Sequence, residues 1–93
     1  MVIGSLILEI YLPQAHSLKE KRMIIKSLKE KLRNKFNVSV SEVNNQDSWQ
    51  SAVVAVVTVA SDKKHLDRTL QSVINFLDEN FPHLHINISQ EIL

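Results

Sequence analysis

Apolar and polar positions alternate from Val2 to Leu12: Leu6, Leu8, Ile10 and Leu12 share one parity, while the other mixes Ser5 and Glu9 with Ile3, Ile7 and Tyr11. A period of two predicts a strand. Pro13 ends it, and Ser17 with Glu20 three residues on has the form of a capping box that opens a helix. At about 100° per residue, Leu18, Ile24, Ile25, Leu28, Leu32 and Phe36 form one apolar stripe, so this helix packs on something and ends near Lys35. Phe36, Val38 and Val40 then alternate with Asn37, Ser39 and Ser41, which predicts a second strand with one buried face. Val43 breaks the alternation and predicts a bulge near Glu42. Asn44 to Ser48 reads as a turn, and Ala52 to Val59 is a valine-rich, almost continuously apolar run that suits a central strand covered on both faces. Ser61 or Asp62 caps a second helix, with Leu66, Leu70, Val73, Ile74 and Leu77 on one stripe and Asn80 and Pro82 as its stop. Leu84, Ile86 and Ile88 alternate with His85, Asn87 and Ser89 as a last strand.

The order βαββαβ in 93 residues folds most economically as one α+β domain, residues 1–93, of ferredoxin-like type: a four-stranded antiparallel sheet with both helices on one face. That topology places the first loop (Pro13 to Ser17), the central hairpin (Asn44 to Ser48) and the loop around Pro82 at one end of the sheet. A composite site belongs there.

Composition removes several function classes. The apolar fraction of 44% and charged fraction of 23% are those of an ordinary globular domain. With no cysteine, disulfide scaffolds, iron–sulfur clusters and thiolate zinc sites are excluded. The single glycine, Gly4, excludes a Walker loop, a dinucleotide fingerprint and the glycine-rich phosphate loop of acylphosphatase-type enzymes of this topology. The longest apolar run, Ala52 to Val57, is far short of a membrane span, and no signal peptide opens the chain, so a cytoplasmic protein without membrane contact is expected.

The net charge of +1 hides a division. Ser17 to Lys35 carries eight basic residues against two acids, +6, while the remainder carries three against eight, −5. Within the basic segment Lys19, Arg22, Lys26, Lys29 and Arg33 follow spacings of 3, 4, 3 and 4, which stacks them on one helix flank over about 21 Å. Such a row matches the repeated charges of a phosphate backbone and predicts salt-dependent binding of RNA; the competing reading is a solvated flank. Lys19, Lys21 and Arg22 also crowd the positive end of the helix dipole, where cations are unfavourable; the repulsion is tolerated, relieved by acids such as Glu42 and Asp47 elsewhere in the fold, or relieved by an anionic ligand. Lys21 points into the apolar stripe, where it must snorkel or pair with a carboxylate.

Other candidates are weaker. His16 and Ser17 are adjacent, which denies them the geometry of a base and nucleophile, and Ser17 is already explained as a cap. His83 and His85 supply only two metal ligands, so neither catalysis, a metal nor a cofactor is expected. Trp49, the only tryptophan, fits core or hairpin packing best. The two middle strands carry only Tyr11 as an aromatic, which argues against base stacking on the sheet. The open sheet face, with Ile3, Ile7, Tyr11 and part of the valine run, is instead a candidate interface for a homodimer or protein partner.

The run His16-Ser17-Leu18-Lys19-Glu20-Lys21-Arg22, followed by Phe36-Asn37-Val38-Ser39-Val40, Glu42-Val43, Gln46-Asp47 and Trp49-Gln50, resembles the YlxP-like family of bacterial proteins of unknown function over nearly the whole chain. The resemblance implies a ferredoxin-like fold and no established activity. Genes of the family often sit among those for translation initiation and ribosome maturation, which implies by association a role near ribosomal RNA. Its members often carry a histidine before the Gln-Asp pair, where this chain has Asn45. The two motifs meet in the expected topology, so His16, Ser17, Lys19, Lys21, Arg22, Glu42, Gln46, Asp47 and Trp49 become one polar cluster, either a binding site or an internal salt-bridge network.

Overall fold

Two helix starts and one bulged hairpin organise the computed structural model, which describes residues 1–93. The Ser17 hydroxyl accepts the Glu20 N–H at 3.1 Å and opens α1 (Leu18–Lys35). The reciprocal bond differs from the expected box: the Glu20 carboxylate accepts from His16 N–H, one residue before the cap. Of the two candidates for the second cap, Asp62 is the one used; its carboxylate accepts His65 N–H at 2.8 Å and starts α2 (Lys63–Asn80). The strands are β1 (Val2–Tyr11), β2 (Ser39–Asn44), β3 (Ser51–Ala60) and β4 (His85–Ile92). They pair antiparallel in the order β2-β3-β1-β4, the ferredoxin-like arrangement.

Register places the even-numbered residues of β1 and β3 together under the helices, with Leu6 opposite Val56 and Leu8 opposite Val54. They join Ile25, Leu28 and Leu32 of α1 and Leu66, Leu70, Val73 and Leu77 of α2 in one core. Leu12 N–H donates to Gln50 carbonyl, which draws the first loop against the hairpin. A cavity of about 130 Å³ between Pro13, Ala15 and His83 shows the Pro82 loop at that same end.

Three elements depart from the sequence pattern. Phe36 to Val38 is not strand: Phe36 is the C-cap of α1, its N–H still bonded to Leu32 carbonyl, so the chain cannot enter the ladder before Ser39. β3 lies between two strands, but only one of its faces is covered by helices; the odd-numbered Val53, Ala55 and Val57 are half-buried on the open side. β4 begins one residue late and runs on to Ile92, because Gly4 and Ser5 of β1 continue to pair with Ile92 and Glu91. The expected bulge is present, between Glu42 and Asn44.

Gly4 sets how closely α2 descends on β1. A Cβ there would stand 2.9 Å from Leu66 Cδ2 and 3.0 Å from Leu70 Cδ1, both on fully buried side chains. Gly4→Val overpacks this contact and should lower stability by about 1–3 kcal/mol. Thermal denaturation by circular dichroism checks it; an unchanged Tm would mean that the two leucines yield freely.

Candidate functional site

Lys21 lies among the core positions of α1 and is 0% exposed. An unpaired ammonium there would be prohibitive, so its partners define the local structure. Its Nζ donates to Asn45 carbonyl at 2.7 Å, reaches Gln46 carbonyl at 3.5 Å and lies 2.8 Å from Glu42 Oε2. Glu42 shares the helix-facing parity of Val40 on β2, which aims its carboxylate beneath α1. The bulge that follows and the left-handed backbone of Asn45 (φ 62°) turn the hairpin carbonyls toward the same point. Asparagine tolerates that conformation, and the Asn44 side chain steadies it by accepting Asn45 N–H at 2.8 Å.

The expected polar cluster therefore divides. Lys21, Glu42 and the backbone of Asn45 and Gln46 form an internal network. At the helix cap the Ser17 hydroxyl accepts Glu20 N–H and the His16 N–H donates to the Glu20 carboxylate. Asp47 is exposed and unpaired, and Gln46 contributes its carbonyl only. Of the two places expected for Trp49, core or hairpin, it takes the hairpin, where the turn holds it outside the strand register and 47% exposed. The role of Asn45 had no signal beyond the Asn44-Asn45 pair, a turn-former.

The basic row occupies the flank of α1 toward the β2 edge. Arg33 fixes this direction by donating from Nη2 to Val40 carbonyl. The opposite flank carries Lys31 and Lys35, whose ammonium groups sit 5.3 Å and 5.0 Å from the rings of Phe81 and Phe76 at the end of α2. The row thus faces away from α2. Lys19, Arg22, Lys26 and Arg33 are exposed and Lys29 half-buried. The ion pairs of the molecule are Lys21–Glu42 and Lys63–Asp67, so no cation of the row has an acidic partner.

On the open face Ile3 and Ile7 are half-buried beside Val57 and Ala55, and Tyr11 and Val59 are more exposed. The outer strands frame this stripe with Ser39 and Ser41 on one side and His85, Asn87, Ser89 and Glu91 on the other. No helix is long and apolar enough to cross a membrane.

Lys21→Ala strands the Glu42 carboxylate and two carbonyls, and should cost about 3–5 kcal/mol in urea denaturation. Glu42→Gln should cost less, because the hairpin carbonyls still hold the ammonium. Equal losses would show that the ion pair alone matters.

The chain matches the family model described as "Protein of unknown function (DUF503)" over residues 3–90. It is 37% identical over 89 residues to the uncharacterized protein YlxP of Bacillus subtilis (strain 168), covering 96% of each. Among solved structures it is similar to a dimeric ferredoxin-like protein from an uncultured marine organism, with a TM-score of 0.55 at 10% identity over 100% of this chain and 96% of that one. It is also similar to the de novo designed protein Foldit4, with a TM-score of 0.52 at 14% identity over 97% and 94%. At these identities the likeness is one of fold. By its sequence match the chain belongs to the DUF503 family of proteins of unknown function, here on a ferredoxin-like fold.

Proposed function

We propose that this protein is a cytoplasmic RNA-binding or ribosome-associated accessory factor without a reaction of its own, and that it holds RNA along the flank of α1. The observation that carries the reading is the row Lys19, Arg22, Lys26, Lys29 and Arg33: five cations on one side of a helix, none paired with an acid. Side chains three and four residues apart on a helix repeat about every 5 Å along its axis, so the row presents charge as a ladder to a polyanion. A phosphate near Lys19 and Arg22 also lies close to the positive end of the helix dipole and offsets the crowding of cations there. Arg33 divides its donors between Val40 and any ligand, which makes the other four the main contacts.

A second reading is favoured by the aliphatic stripe of Ile3, Ile7, Val53, Val57 and Val59 on the uncovered face, an area suited to a protein partner. One experiment separates the two. In fluorescence anisotropy with labelled, structured ribosomal RNA fragments, four phosphate contacts should lower the affinity roughly 100-fold between about 50 and 200 mM salt. Replacing Lys19, Arg22, Lys26 and Lys29 together by glutamate should abolish binding while far-UV circular dichroism stays unchanged. Unchanged affinity in that variant, or no binding at low salt, retires the RNA reading and leaves the sheet face.

A further inference from the structure

We propose that two copies of this chain associate edge to edge through β4, giving one continuous antiparallel sheet across a two-fold axis. The two edges of the sheet are built differently. β2 has six residues, breaks register between Glu42 and Asn44, and has its Val40 carbonyl covered by Arg33. Short, bulged and covered edges resist pairing with another strand. β4 has eight residues, follows β1 without a break, and holds no proline or lysine.

The direction of its backbone groups follows from one bond. Leu93 N–H donates to Ile3 carbonyl at 2.8 Å, so the odd-numbered residues of β4 turn their backbone groups toward β1. Ile86, Ile88, Gln90 and Ile92 therefore turn theirs outward, where no group of this chain meets them. The side chains above that edge are also poorly covered. Gly4 seats α2 on β1, and Ile86 and Ile88 remain half-buried and Ile92 42% exposed, whereas Ala52, Val54 and Val56 in the same layer of β3 are fully buried.

A second copy satisfies this edge. With the axis between two Ser89 residues, Ile86 opposes the partner's Ile92 and Ile88 opposes the partner's Gln90. All four outward residues of each chain then exchange hydrogen bonds; an axis at Ile88 would leave Ile92 beyond the partner's strand. Ile86 and the partner's Ile92 cover each other on the helix side. On the open face Glu91 meets the partner's Asn87, so no like charges oppose. An eight-residue edge is about 27 Å long, and a sheet with its helix layer about 20 Å deep, which gives roughly 1,000 Å² in total, the size at which a specific interface begins.

Sedimentation velocity of the full chain, from low micromolar to several hundred micromolar, tests this. The expected result is a rise from 10.7 kDa to twice that mass. Ser89→Lys and Ser89→Glu each place like charges across the axis and should weaken the dimer at least tenfold, while an equimolar mixture of the two restores it. Gln90→Pro removes an outward N–H without touching the β1 ladder and should have the same effect as either charge. Val59→Glu, on the open face, should leave the dimer intact. A wild-type monomer at all concentrations, a dimer indifferent to the Ser89 charges, or loss of the dimer in Val59→Glu alone overturns the proposal, the last by moving the interface to the open face.

Discussion

The structure depends on one buried cation. Lys21 occupies a position that helical spacing assigns to the core, and the chain answers it with a carboxylate from β2 and two carbonyls from the hairpin. Replacing a buried ion pair as a whole by apolar residues of similar volume is often harmless to stability, whereas removing one member alone is not. What the ammonium supplies is placement. It ties the second turn of α1 to the far end of β2, and with that tie the azimuth of the helix is set. The core stripe faces down, Lys31 and Lys35 fall against the aromatic rings at the end of α2, and the basic row is left to the outer flank.

The second helix is seated by an absence. Gly4 gives Leu66 and Leu70 room to press on the backbone of β1, so α2 is centred over that strand. Both helices then serve the inner strands well and the outermost strand poorly. The imbalance leaves β4 with an unprotected backbone and partly bare isoleucines, while β2 is short, bent and guarded.

Period-two and helical patterns were enough to order the elements, because alternation in β1 and the stripes of α1 and α2 each come from a single buried face. They failed where one residue type serves two purposes. Phe36 has the hydrophobicity of a strand residue but closes a helix, and a cap is defined by backbone geometry that spacing does not encode. The valine run of β3 looked covered on both sides, since apolar character reports affinity for a buried surface and not whether one is present. Lys21 was conspicuous in the sequence as a charge in an apolar stripe, and Glu42 was among the candidate partners. The carbonyls of Asn45 and Gln46 were not, because a backbone acceptor is common to every residue and only the turn's conformation selects it. The division of the polar cluster into an internal pair and an exposed remainder is likewise set by tertiary packing that residue spacing does not encode.

Arg33 holds two offices at once: it ends the exposed row of cations and it shields a carbonyl on the sheet's rim. These tasks are thermodynamically linked, since any anion that draws the guanidinium away must do so against the strand's hold on it. An anion that drew Arg33 off Val40 would accordingly loosen the guard on β2, and a chain docking along that rim would in turn set Arg33 free for the anion.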